Sequence, residues 1–131
     1  MNFLRMMSGQ SRPLPPLGKN LHRHRTRALL KARQLELVHL VLPAGHELPT
    51  HSAPGEITLY CIEGAMNLST PDGHACLHAG DVVHLAAEMP HAVVALTDAS
   101  ALLTICLART GPSPSQPDSS APTRPAQTCH H

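Results

Sequence analysis

The stretch ITLYCIEGAMNLSTPDGHACLHAGDVVHL, residues 57–85, decides the fold class of this chain. Its apolar residues come in short runs, and each run ends at a turn signal, which is EG at 63–64, TPDG at 70–73 and HAGD at 78–81. In TPDG the proline fixes φ and Asp-Gly allows a tight reversal, so this segment predicts a β-hairpin. Helical periodicity is not sustained anywhere in the stretch. The stretch therefore predicts consecutive antiparallel strands.

The same pattern continues outward in both directions. It predicts a loop rich in proline and glycine at 43–56 and strands at 27–32, 34–42, 57–62, 65–69, 74–78, 82–85, 91–96 and 101–107. At least seven strands at this close spacing are typical of a β-sandwich or a β-barrel. We therefore predict an all-β protein.

The length of 131 residues allows one domain, because a compact core needs roughly 100 residues. We predict a flexible N-terminal extension at 1–25, a barrel at 26–108 and a disordered tail at 109–131. The tail is rich in proline and, from Gly111 onward, has no Leu, Ile, Val or Phe. Such a segment cannot bury enough apolar surface to offset the entropy lost on ordering.

Composition argues against two classes of partner. The net charge is +1, so no overall field attracts phosphate backbones or anionic membranes. The only aromatic residues are Phe3 and Tyr60, whereas single-stranded nucleic acids are usually held by stacked rings. The basic run KNLHRHRTR, residues 19–27, is typical of a solvated arm. We expect neither a nucleic-acid nor a membrane partner.

The sequence also predicts a location. The stretch MNFLRMMSGQ at the start has no apolar run long enough for a signal peptide, and no segment approaches the about 20 consecutive apolar residues of a membrane-spanning helix. The four cysteines have no C-x-x-C spacing, which argues against a zinc knuckle or a redox pair. We predict a cytoplasmic protein with reduced thiols.

The spacing of glycines and histidines carries a family resemblance. Gly45 is followed after five residues by His51, and Gly64 closes this first segment. Gly80 opens a second segment, GDVVHLAAEMPH, which ends at His91. These spacings resemble the two motifs of the cupin superfamily, whose members are small jelly-roll barrels. The resemblance covers nearly all of the predicted barrel and implies a cupin jelly-roll β-barrel.

This chain departs from the family pattern at the ligand positions. Cupins with a full site hold a metal with two histidines spaced two apart, a glutamate and a later histidine. Here His51 and His91 remain, but Ala53 and Ile57 occupy the positions of the second histidine and the glutamate. Glu56 lies one place early, so strand alternation turns it to the opposite face unless the preceding Pro-Gly bend absorbs the shift.

The resemblance implies which side chains face the barrel interior. If the ligand positions point inward, alternation places on the inner wall His51, Ala53, Ile57, Leu59, Cys61, His91, Val93 and Ala95. We take Ala53, Ile57, Leu59, Cys61 and Val93 as candidate ligand-binding residues. The implied pocket is mainly apolar, with two imidazoles near one end and a thiol deeper inside.

One hypothesis for this pocket is a divalent transition metal, Fe, Mn, Zn or Ni. His51 and His91 would be joined by a carboxylate or by waters, as in 2-His-1-carboxylate sites. Glu56 is the first candidate for the third ligand, and His46 and Glu88 are others. This hypothesis also includes a small molecule bound at the metal, and it assigns no reaction.

Two further hypotheses need no metal. In one, the barrel is a sensor or carrier for a small, largely apolar molecule, and His51 and His91 supply hydrogen bonds. In the other, a histidine acts as a general base and Cys61 as a nucleophile. No residue is placed to orient such a base, which counts against the enzymatic hypothesis.

The chain is also expected to assemble. A barrel of about 80 residues has a marginal core. The family resemblance also implies a dimer, because small cupins are commonly dimeric. The stretch RTRALLKARQLEL, residues 25–37, is the candidate contact, because dimerisation removes an unpaired apolar edge strand. We predict a homodimer.

Overall fold

The structure, a computed structural model, describes residues 5–107 and shows a protein made almost entirely of β-strands. Its elements are a 3₁₀ helix (Gly18–Arg23) and strands β1 (Arg27–Lys31), β2 (Leu35–Leu42), β3 (Glu47–His51), β4 (Ile57–Glu63), β5 (Ala65–Thr70), β6 (Gly73–His78), β7 (Val82–Leu85), β8 (His91–Ala95) and β9 (Ala99–Cys106). Within these described residues, no helix is long and apolar enough to cross a membrane. The all-β prediction is confirmed.

The strands form two antiparallel sheets. The five-stranded sheet has the order β1-β2-β9-β4-β7, and the four-stranded sheet has the order β3-β8-β5-β6. Strands distant in sequence are neighbours in both sheets, as in the β2–β9 and β3–β8 pairs. Such crossovers between two facing sheets are typical of a jelly roll, so the predicted jelly-roll barrel is also confirmed.

The core lies between the two sheets and is built by strand alternation. On β4, Ile57, Leu59 and Cys61 are buried, whereas Tyr60 is 43% exposed on the other face. The buried core cluster consists of Leu40, Leu42, Ile57, Leu59, Cys61, Met66, Leu68, Leu77, Leu85, Val93, Ala95, Ala99, Ala101 and Leu103. Burying one such large aliphatic side chain contributes about 1.5–3 kcal/mol, so this aliphatic interior stabilises the fold without aromatic residues.

One strand lies where the sequence predicts a loop. Strand β3 occupies part of the predicted loop at 43–56, whereas the other eight strands lie where expected, with ends shifted by at most two residues. Most side chains of β3 are exposed, and β8 is its only strand partner among residues 5–107. An edge strand of this kind tolerates proline, here Pro49, and needs no regular apolar alternation. The pattern that reveals the other strands is therefore missing from it.

The N-terminal segment contacts the barrel. Leu21 in the 3₁₀ helix is fully buried. The carboxylate of Glu63 on β4 accepts hydrogen bonds from the N–H groups of Leu17 and Gly18, at 2.8 and 2.9 Å. These partners lie far from the segment in the sequence, and the flexibility expected of residues 1–25 stays a prediction. The tail predicted at 109–131 lies outside the described residues.

The cysteines are not all alike. Cys61 has a free, buried thiol, whereas Cys76 is disulfide-bonded. The expectation of reduced thiols therefore does not hold for Cys76. Sequence spacing could not reveal this, because disulfide formation depends on which cysteines the fold brings within reach of one another.

Candidate functional site

Two histidines that are far apart in the sequence meet at one end of the β3–β8 pair. His51 ends β3, His91 begins β8, and the two residues are opposite each other in the antiparallel register. Directly opposite side chains on antiparallel strands lie on the same face of the sheet. The ring centroids are 4.3 Å apart and the ring planes are inclined by 56°. The structure thus brings together the two histidines that the sequence singled out.

The hydrogen bonds of both rings place a hydrogen on the same nitrogen, Nδ1. His51 Nδ1 lies 2.9 Å from the carbonyl oxygen of Pro49, and His91 Nδ1 lies 2.9 Å from that of Met89. A carbonyl oxygen can only accept, so each Nδ1 carries the hydrogen and donates it. In a neutral imidazole with this tautomer, Nε2 presents a lone pair to a metal ion or to a hydrogen-bond donor.

The two rings differ in exposure. His91 is only 3% exposed, whereas His51 is exposed to solvent. Nε2 of His91 is fully buried and has no hydrogen-bond partner among the described residues. Leaving a buried polar atom unsatisfied costs about 1–3 kcal/mol, so such an atom in a folded protein calls for a partner from outside residues 5–107. His51 lies beside it and is exposed, so the histidine pair is open to solvent on the His51 side.

Glu56, the predicted third ligand, pairs with a different histidine. Oε1 of Glu56 lies 2.6 Å from Nε2 of His84 on β7, and both side chains are exposed. Within residues 5–107 no group of three or more histidine, cysteine, aspartate or glutamate side chains is arranged to hold a metal ion. The structure therefore brings two of the three candidate metal ligands together and not Glu56.

The two other candidates for the third ligand, His46 and Glu88, lie near opposite ends of β3. His46 precedes the strand, and its carbonyl oxygen accepts a hydrogen bond from the N–H of Ala95 at the far end of β8. It is therefore remote from the histidine pair. Glu88 lies in the loop that leads to β8, where its N–H donates to the carbonyl oxygen of Ala53. Its φ of 65° is uncommon for a residue with a side chain and marks a locally constrained loop.

The candidate ligand-binding wall faces inward, as alternation predicts. Ile57, Leu59, Cys61 and Val93 belong to the buried core cluster, and Ala53 is partly buried against it. Their side chains contact one another in the packed interior.

Cys61 is poorly suited to act as a nucleophile. Burial raises the pKa of its thiol to about 11, and the nearby charge of Asp81 adds to this effect. At neutral pH only about one in ten thousand such thiols is ionised. Because the thiolate is the reactive form, the metal-free hypothesis with Cys61 as nucleophile loses its support.

Sequence reasoning missed the role of Glu63, which it treated only as part of a turn. Besides Leu17 and Gly18, the hydroxyl of Ser100 donates a hydrogen bond to this carboxylate. These donors lie 46, 45 and 37 positions away in the chain. No local signal in the sequence could have connected them.

Comparisons with known proteins agree with this architecture. The family model described as "Cupin domain" matches residues 38–107. No curated protein gives a significant match.

Three solved structures illustrate the similarity. A cupin superfamily protein from Desulfitobacterium hafniense is 17% identical, with a TM-score of 0.64 and coverage of 76% of this chain and 94% of that one. An RmlC-like cupin protein from Desulfovibrio desulfuricans is 25% identical, with a TM-score of 0.58 and coverage of 78% and 97%. A conserved protein of unknown function from Streptococcus pyogenes is 22% identical, with a TM-score of 0.61 and coverage of 65% and 75%. The family match, together with the two sheets and their strand order, shows that the chain belongs to the cupin domain family.

Proposed function

We propose that this cupin binds a divalent transition metal ion through Nε2 of His51 and His91, and a small molecule at that ion. The observation that carries the proposal is the buried Nε2 of His91, which has no protein partner among the described residues and lies beside a second imidazole. The metal would be Fe, Mn, Zn or Ni, because imidazole nitrogen suits these ions. The reaction, if there is one, is unassigned.

The two imidazole nitrogens supply part of the ligand set that such an ion needs. Both Nδ1 atoms donate to backbone carbonyl oxygens, which fixes the ring orientation and leaves Nε2 available as a ligand. Two protein ligands leave several coordination positions for water or for oxygen atoms of the small molecule. A metal bound there would supply Lewis acidity, while His51 and His91 hold it at the solvent-open end of the apolar core.

A second candidate is a metal-free carrier or sensor. It is favoured by the engagement of Glu56 with His84 and by the lack of a three-residue ligand group in the described part of the chain. In this case a donor group of the small molecule would satisfy Nε2 of His91 directly. The apolar side chains beside the pair would contact the rest of the molecule.

Metal content tests the first candidate. Protein purified without an affinity tag is analysed by inductively coupled plasma mass spectrometry, as wild type and as the His51→Ala, His91→Ala double variant. We expect about one metal ion per chain in the wild type and a loss of about tenfold or more in the double variant. The matched control is His74→Ala with His78→Ala, which removes two exposed histidines from β6. Equal metal content in the double variant and the wild type would contradict the proposed site.

Ligand screening separates the two candidates. Metal-stripped protein is screened with small molecules by thermal shift, with and without added metal. A molecule that raises Tm without metal in the wild type, and not in the double variant, would favour the carrier. A shift that requires metal would favour the metal site.

The proposal includes the cellular setting predicted from the sequence. We place the protein in the cytoplasm, as a homodimer, with no nucleic-acid or membrane partner. The net charge of +1 and the near absence of aromatic residues support the exclusion of nucleic acid.

A further inference from the structure

A cleft of about 290 Å³ lies where the end of the 3₁₀ helix and the residues after it meet the β2–β3 loop. The residues lining this basic cleft include His22, His24, Arg25, Val41, Pro43 and His46. Such a volume is near the lower end of the range for small-molecule sites. Four of these side chains carry, or can acquire, a positive charge, and two offer an apolar wall.

The basic cleft is separate from the histidine pair. His46 lies just before β3 and His51 ends it, so the two are about 15 Å apart along an extended strand. Backbone hydrogen bonds fix the loop that carries His46, because the N–H of Gly45 donates to the carbonyl oxygen of Ala95 and the N–H of Ala95 donates to that of His46. The inference drawn from this cleft does not depend on what the pair binds.

One carboxylate lies beside the cleft, and its hydrogen bonds are already made. Oδ1 of Asp98 accepts a hydrogen bond from the N–H of Ala44 at 2.8 Å, and Oδ2 lies 2.9 Å from Nε2 of His22. The side chains of His24, Arg25 and His46 form no hydrogen bond or ion pair with any residue in the described range 5–107. The guanidinium of Arg25 and the imidazole of His24 thus lack an anionic partner among these residues, whereas His46 interacts electrostatically with Asp98.

We propose that the basic cleft binds a small molecule through an oxyanion, a carboxylate or a phosphate group. The guanidinium of Arg25 offers two parallel donors to such a group, and the imidazoles of His24 and His46 add further donors. Val41 and Pro43 contact the carbon part of the molecule. The same chemistry would accept inorganic phosphate or a small dicarboxylate, so both serve as probes.

The charge of Asp98 is already compensated. The N–H of Ala44 and His22 hold its pKa below the ordinary value, so this carboxylate stays ionised and engaged at neutral pH. Other charged or titratable groups around these elements are Arg27, His39 and Glu63. Arg25 carries its charge at any ordinary pH and is therefore the principal donor to the anion.

The test is isothermal titration calorimetry on the full chain in buffers free of oxyanions. Inorganic phosphate and succinate are titrated separately at about pH 7. We expect at least one of them to bind with an affinity that calorimetry can measure. The tighter of the two identifies the source of the oxyanion as phosphate or carboxylate.

Variants locate the binding. Arg25→Gln should weaken it by about tenfold or more, because the bidentate donor is lost. The matched control is Arg33→Gln, which removes an equally exposed guanidinium from the β1–β2 turn and should leave affinity unchanged. His46→Gln is a second variant in the cleft, in case Arg25→Gln does not fold, and should also weaken binding. The His51→Ala, His91→Ala double variant should bind phosphate like the wild type, which separates this site from the proposed metal site.

Several results would overturn the inference. Absence of binding by both anions would overturn it, and so would wild-type affinity in both cleft variants. A loss of affinity in Arg33→Gln equal to that in Arg25→Gln would show nonspecific charge attraction instead of a site.

Discussion

At the scale of single residues, the carboxylate of Glu63 joins parts of the chain that are distant in sequence. The N–H groups of Leu17 and Gly18 reach it from the N-terminal segment, and the hydroxyl of Ser100 reaches it from β9. Hydrogen bonds to a charged group are stronger than neutral ones, at about 1.5–3 kcal/mol each. Glu63 therefore helps to hold the 3₁₀ helix, with its buried Leu21, on the five-stranded sheet.

Substitution Glu63→Gln should lower the free energy of unfolding by about 1–3 kcal/mol, because the amide keeps one acceptor oxygen and turns an NH₂ group toward donors. Urea denaturation at about pH 7, followed by circular dichroism, measures the change. The matched control is Glu47→Gln, an exposed position on β3 where the loss should stay below about 0.5 kcal/mol. Equal stability of Glu63→Gln and the wild type would refute the role given to this carboxylate.

The same substitution has a defined pH dependence. Burial alone would raise the pKa of Glu63, but the N–H of Leu17, the hydroxyl of Ser100 and the N–H of Gly18 together hold it below the ordinary 4.5. A carboxylate whose folded pKa is lowered stabilises the fold above its unfolded pKa and loses this contribution as pH falls through the folded value. The stability gap between wild type and Glu63→Gln should therefore shrink below about pH 4.5.

Sequence reasoning identified residues whose role follows from spacing and missed those whose role follows from contacts. His51 and His91 were recognised because each stands at a fixed distance from a glycine in its own segment. The engagement of Glu56 by His84, and that of Glu63 by Leu17, join residues on different elements. Such pairings depend on strand order, which no stretch of sequence shows.

At the scale of elements, the turn between β4 and β5 leaves no room for a side chain at its glycine. Gly64 has a φ of 77°, and a Cβ atom there would lie 2.1 Å from the carbonyl oxygen of Asp98. Gly80, between β6 and β7, has a φ of 95° but no atom within 4 Å of a Cβ position. The two glycines thus share a left-handed backbone and differ in the space around them.

This difference predicts unequal effects of the same substitution. Gly80→Ala should cost about 1 kcal/mol, the price of a left-handed backbone for a residue with a Cβ. Gly64→Ala should cost about 3 kcal/mol or more, because the backbone of the β8–β9 turn must also move. Thermal and urea denaturation of both variants measure the two costs. Similar losses in the two proteins would contradict the close approach at Gly64.

The elements were predictable where alternation is regular. Strand β4 alternates buried and exposed side chains, and both its position and its inward face follow from the sequence. Strand β3 was predicted as a loop, because the stretch that contains it, residues 43–56, is rich in proline and glycine. It becomes a strand through pairing with β8, and this pairing is what places His51 opposite His91. Strand β3, which positions His51, was thus the strand that the sequence pattern did not predict.

At the scale of the whole molecule, the two ends of the β3–β8 pair present different chemistry. One end carries the imidazoles of His51 and His91 beside the apolar core. The other end carries the basic cleft with Arg25 and His46. A small acidic molecule at one end and a metal or neutral molecule at the other could bind at the same time, since the sites share no side chain.

Assembly is the remaining prediction for the molecule as a whole. Strand β1 is one edge of the five-stranded sheet and β7 is the other. On β1, the carbonyl oxygen of Leu29 accepts a hydrogen bond from the N–H of Met6. This bond occupies part of the β1 edge, and the remaining backbone groups of an edge strand are the ones that pairing with a second copy satisfies. We therefore expect a homodimer in which two β1 strands pair antiparallel about a twofold axis.

Light scattering coupled to size exclusion tests this assembly and its location. The wild type should elute as one species of twice the 14.0 kDa chain mass. Leu30→Glu on β1 should shift it toward the monomer, because a twofold axis brings two like charges close together across the paired strands. Val82→Glu, at an exposed position on the opposite edge strand β7, is the matched control and should stay dimeric. A monomeric wild type at high concentration would exclude the dimer, and dissociation by Val82→Glu alone would move the contact to β7.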